Sequence, residues 1–117
     1  MPSTISYKRG DVVLVSFPFT DLTGTKQRPA LVISSDVFNS TRDDILIAAI
    51  TSQVPAQLKP DEFLIPAAEL TLGGLPKPFI VRLLKLVSLH QRLIIRRIGH
   101  LPEPITAKIL EQIRKLL

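Results

Sequence analysis

Six cations, Lys77, Arg82, Lys85, Arg92, Arg96 and Arg97, fall between Lys77 and His100 with no Asp or Glu among them. Guanidinium and ammonium groups concentrated in this way set up a field that draws polyanions, either nucleic acid or an acidic protein; a solvated basic strand face is the plainer alternative. Through Leu58 five cations meet five acids, whereas from Lys59 onward ten cations meet five acids, so the formal charge of +5 belongs to the second half of the chain. Other chemistry is poorly served. Without cysteine there is no disulfide, thiolate ligand or thiol nucleophile. His90 and His100 stand ten apart with no third ligand at metal-site spacing, and the GxGxxG, P-loop and HExxH patterns are absent. The adjacent carboxylates Asp43-Asp44 and Asp61-Glu62 point to opposite faces of an extended chain, which suits solvent contact better than shared acid–base work.

The elements that must position these cations are short. A chain of 117 residues with 45% hydrophobic and 21% charged residues suits one domain, taken as residues 1–117, and argues against disorder. Its longest apolar run, Ile45 to Ile50, is far too short to cross a bilayer, and Met1 to Arg9 has no apolar signal-peptide core. No membrane association and a cytoplasmic setting are therefore expected.

Ten prolines fall mostly between apolar runs, punctuating short strands. Asp11 to Phe17, entered through Gly10, reads as a central strand, and Thr20 to Gln27 as a polar surface loop. Pro29 biases Arg28 toward an extended conformation, so Arg28 sits where that loop meets a second strand, Ala30 to Ser34, antiparallel to the first. Ser35 to Asp44 reads as a loop or short helical turn. Ile45 to Thr51, apolar on both faces, reads as a buried strand with Thr51 at its exit. A short strand at Glu62 to Ile65, a brief helix or turn at Ala67 to Leu70 and a flexible connection at Gly73 to Pro76 follow. Phe79 to Leu89 fits a strand interrupted by Arg82 and Lys85, although the same spacing can be written as a helix; Pro76 and Pro78 favour the strand. Leu93 to Ile98 continues as another. From Pro104 the apolar positions Ile105, Ile109, Ile113 and Leu116 trace a helical face, with Glu103 at its start and Arg114-Lys115 in its last turn. The sum is a mainly β, α+β chain: a small, bent antiparallel sheet or barrel with a C-terminal helix over one opening.

Three stretches together resemble a known family. Arg9-Gly10-Asp11-Val12-Val13-Leu14-Val15 leads to Phe17-Pro18-Phe19-Thr20-Asp21, a loop containing Gly24, and Lys26-Gln27-Arg28-Pro29-Ala30-Leu31-Val32-Ile33-Ser34. Ala48-Ala49-Ile50-Thr51-Ser52-Gln53 and the strands from Val81 through Leu101 follow in order. This pattern is similar to the MazF/PemK toxins. The resemblance implies an SH3-like β-barrel, of the PemK/CcdB kind, acting as a homodimer. It also implies a metal-independent endoribonuclease, an mRNA interferase needing no cofactor, that cuts single-stranded RNA to 2′,3′-cyclic phosphate and 5′-hydroxyl ends and is inhibited by a cognate acidic antitoxin.

Carried over residue by residue, the resemblance implies catalytic roles for Arg28 and Thr51. Phe19, Asp21, Lys26, Gln27, Ser52, Gln53, Arg82 and Lys85 become candidate RNA contacts. Two non-catalytic readings stand beside this one. The related CcdB gyrase poisons share the barrel but use a C-terminal tryptophan, whereas this chain has no tryptophan and ends Lys115-Leu116-Leu117. A small-barrel module that binds nucleic acid or protein without cutting it accounts equally for the basic segment.

Overall fold

A computed structural model describes residues 6–16 and 27–117. Its strands are β1 (Asp11–Ser16), β2 (Gln27–Val32), β3 (Asp44–Thr51), β4 (Glu62–Leu64), β5 (Ile80–His90) and β6 (Ile94–His100). Helices α1 (Asp36–Thr41), α2 (Ala67–Leu70) and α3 (Glu103–Leu116) and a 3-10 turn at Gln91–Leu93 complete the order. The strands form one six-stranded antiparallel sheet, ordered β4-β5-β3-β2-β1-β6. β1 and β3, both rich in β-branched residues, lie inside it. The expected barrel is only approximated: among the described residues the sheet is open, with β4 and β6 as its edges. β4 is three residues long and gives its pairs to β5, so it has little backbone with which to reach β6.

Side-chain alternation along the strands sorts the apolar residues onto two faces. Val12, Leu31, Ala48 and Ile50 join Ile105, Ile109 and Ile113 of α3 in one core. Val13, Val15, Ala30, Val32, Ile45 and Ile47 build a second core on the other face. A strand buried on both sides reads as a continuous apolar run, which is why Ile45 to Ile50 lacks polar interruption. In α3 the buried isoleucines recur every fourth residue, Pro104 occupies the first turn, and Arg114 and Lys115 lie in the last. That placement satisfies both the helical period and the helix dipole.

The Gly73-Gly74 segment, read as a flexible connection, is a close-packed turn. The His100 N–H donates to the Leu72 carbonyl at 2.8 Å, which draws the turn against β6. A Cβ on Gly99 would collide with the Gly73 backbone, and one on Gly74 with the Ile98 carbonyl. Because Gly74 also has φ +71°, Gly99 is the cleaner probe of packing alone. Gly99→Ala is expected to reduce unfolding free energy by about 2–3 kcal/mol, measured as a lowered urea midpoint. An unchanged midpoint would show that the turn yields freely.

Candidate active site

Arg28 and Thr51 lie far apart in sequence, and the strand register brings them together. β2 pairs with β3 through Ala30↔Ala49, Leu31↔Ala48 and Val32↔Ile47. Extending this register by two residues sets Arg28 opposite Thr51, on the face that carries Ala30 and Ala49. The pairing of β2 with β3 ends at Ala30, and the next residue, Pro29, has no N–H to give a ladder. Beyond that point the strand ends present side chains around a hollow. It is a cavity of about 230 Å³ lined by Arg28, Ala49, Ile50, Thr51, Gln53, Arg82 and Lys85.

The other wall comes from an irregularity in β5. Ala48 pairs with Leu86, but Ile50 pairs with Val81, so two steps along β3 span five along β5. The three extra residues form a bulge. In a regular strand, Arg82 and Lys85, three positions apart, would point to opposite faces. Bulges re-aim side chains, and here both cations reach the same cavity. The face also switches along β5: Val81 and Leu83 pack toward α3, while Leu89 belongs to the opposite core.

Small geometric details set the chemistry of the cavity. The Thr51 Oγ1 accepts the Gln53 backbone N–H at 3.1 Å, which orients the hydroxyl while leaving its own proton for donation. Ala49, 7% exposed, forms part of the floor, where its methyl leaves room that a larger β-former would fill. Among the described residues the lining holds three cations and no carboxylate. Glu62 stands opposite Arg82 in the β4–β5 register, yet its Oε1 accepts the Lys59 N–H at 2.8 Å and so serves the turn before β4.

Five of the sequence candidates, Arg28, Thr51, Gln53, Arg82 and Lys85, therefore meet in one place. Ser52 is exposed beside them, outside the lining. Gln27, expected in the loop, instead opens β2 opposite Ser16, also outside the lining. Phe19, Asp21 and Lys26 lie outside the described residues. Neither histidine lines the cavity: His100 Nδ1 is 2.8 Å from the buried Asp11 carboxylate, and His90 Nδ1 accepts the Arg92 N–H at 3.0 Å. Among the described residues no three His, Asp or Glu side chains cluster as metal ligands. The floor residues Ala49 and Ile50 were not foreseen as part of the site. The Ala48-Ala49 step inside a strand otherwise built of Ile and Leu was the available signal.

A model of the PemK-like, MazF-like toxins of type II toxin-antitoxin systems matches residues 8–117. Endoribonuclease MazF6 of Mycobacterium tuberculosis is 32% identical over 93 residues, covering 79% of each chain, as is Endoribonuclease MazF2 of Mycobacterium bovis. Among solved structures, a MazE-MazF complex from Deinococcus radiodurans superposes with a TM-score of 0.75 at 23% identity, covering 96% of both chains. The Mycobacterium tuberculosis toxin MazF-mt6 gives 0.70 at 20% identity, covering 90% of this chain and 93% of that one. The match over nearly the whole length, on the same architecture, shows that the chain belongs to the PemK-like, MazF-like toxin family.

Proposed function

We propose that this chain is an endoribonuclease, the toxin of a type II toxin-antitoxin pair, cutting single-stranded messenger RNA within short sequences. The observation that carries the reading is the convergence of Arg28, Thr51, Arg82 and Lys85 on one cavity whose described lining holds no carboxylate. The relatives named as endoribonucleases support it.

The reaction suited to these groups begins when the ribose 2′-oxygen attacks the adjacent phosphorus. The 2′-hydroxyl gives up its proton to water as the 2′-O–P bond forms, the P–O5′ bond breaks, and the departing 5′-oxygen takes up a proton from water, leaving a 2′,3′-cyclic phosphate and a 5′-hydroxyl. Negative charge grows on the non-bridging oxygens in the pentacoordinate state. The planar Arg28 guanidinium stabilises that charge with two parallel N–H donors, and the Thr51 hydroxyl donates to the same phosphate or aligns the 2′-oxygen. Arginine stays protonated and an unassisted threonine is a poor proton acceptor, so their contribution is electrostatic and positional. A cavity lined by cations attracts phosphate and repels a divalent metal, in keeping with a metal-independent route that needs no cofactor. DNA lacks the attacking 2′-hydroxyl and is spared.

Partnership and setting belong to the same proposal. The toxin works as a homodimer in the cytoplasm, and its cognate antitoxin lays an acidic segment over the cationic cavity, competing with RNA. Among the described residues no helix is long and apolar enough to cross a membrane. The decisive experiment incubates the purified chain with single-stranded RNA, and with DNA of the same sequence, in EDTA. Cleavage of the RNA alone, leaving cyclic phosphate and 5′-hydroxyl ends, is expected. Binding without cutting would instead identify a non-catalytic module, and loss of cutting in EDTA would reject the metal-independent route.

A further inference from the structure

We infer that the cavity grips two consecutive phosphates of its RNA, the scissile one at Arg28 and one immediate neighbour at Arg82. The inference deepens the endoribonuclease reading and rests on it. A phosphodiester carries one negative charge, whereas two guanidiniums, Arg28 and Arg82, enter this cavity. Neither guanidinium meets a carboxylate among the described residues. Arg82 is the telling case. Its cross-strand neighbour Glu62 accepts the Lys59 N–H through Oε1 and forms no ion pair with Arg82, and the Arg82 Nε is buried with no hydrogen-bond partner in the described structure. A buried donor left unmatched by protein is costly to keep and is satisfied when an anion docks on the same guanidinium.

Placement supports two phosphates over one. Arg28 comes from β2 and Arg82 from β5, and these strands flank β3, which carries Thr51. Their backbones stand two strand spacings apart, roughly 9–10 Å. A phosphate held by Arg28 beside Thr51 therefore leaves the β5 wall for the next phosphate along the chain. The volume bears on which part of the RNA enters. At about 230 Å³ the cavity is smaller than the roughly 300–1,000 Å³ typical of pockets that enclose whole small molecules. It suits a stretch of sugar-phosphate backbone with the bases outside. The bulge that turns both Arg82 and Lys85 inward is then the device that sets the second phosphate site.

The test replaces one phosphodiester at a time with a neutral methylphosphonate in an RNA oligonucleotide that the protein cuts. Neutralising a linkage immediately beside the scissile one is expected to lower kcat/KM about tenfold to hundredfold, the range for a charge-assisted contact. Linkages farther away are expected to change it less than about threefold. In an Arg82→Gln, Lys85→Gln double variant, cleavage of the unmodified RNA falls and the neighbouring methylphosphonate costs nothing more, because both changes remove the same contact. Indifference of the wild-type protein to both neighbouring linkages, with the unmodified RNA still cut, overturns the second phosphate site alone. Failure to cut the unmodified RNA overturns the endoribonuclease reading and this inference together.

Discussion

Arg28→Ala is expected to lower kcat/KM for RNA cleavage by about 10³-fold while leaving the melting temperature within a degree or two of wild type. The rate effect follows from the loss of a bidentate cation at the oxygens that gain charge in the pentacoordinate state; removing a single neutral donor from such a site elsewhere costs about 10²–10³ in kcat. The small stability effect follows from the surroundings of Arg28, which is half-buried and makes no ion pair among the described residues; substitutions away from such features usually shift stability by no more than about 0.5 kcal/mol. Arg28→Lys separates charge from geometry. It keeps the cation and loses the planar fork, so a residual deficit of about tenfold to hundredfold is expected. Single-turnover cleavage with excess enzyme reads the chemical step directly. Wild-type rates from Arg28→Ala would remove the guanidinium from the mechanism.

Much of this architecture is legible in the chain because local rules and tertiary packing agree. Asp11 to Ser16 and Ile45 to Thr51 are rich in β-branched residues and sit in internal strands; the isoleucines of α3 follow a helical period and are buried on it. What is not legible depends on register. The opposition of Arg28 and Thr51 arises from long-range pairing between strands that enclose α1, and nothing local at either residue encodes it. The bulge in β5 is a partial exception. Cations at 82 and 85 make a poor regular strand, and that misfit, which also allowed a helical reading, marked the place where the strand breaks step. The openness of the sheet could not be read from strand count, because it follows from how little backbone β4 offers. The Gly73-Gly74 turn misled for a related reason: glycine reads locally as freedom, but here its missing Cβ allows one backbone to touch another.

Thr51→Val, which keeps shape and removes the hydroxyl, is expected to reduce kcat about 10²-fold with KM for RNA within about threefold of wild type. An interaction that strengthens only as the phosphorane forms lowers kcat without weakening ground-state binding, and the cations of Arg28, Arg82 and Lys85 remain to hold the substrate. The substitution also removes the acceptor for the Gln53 N–H, and the loss of such a bond is worth about 0.5–1.5 kcal/mol. A modest drop in melting temperature is therefore expected alongside the kinetic defect. Thr51→Ser distinguishes the two effects, since it restores both the proton donor and the acceptor while deleting only the methyl; kcat is expected within about tenfold of wild type. If valine cleaves as fast as threonine, the hydroxyl has no part in the chemistry and Thr51 serves only to shape the strand exit. If serine and valine are equally slow, the hydroxyl and the methyl group are both required, the methyl fixing the rotamer from which the hydroxyl donates.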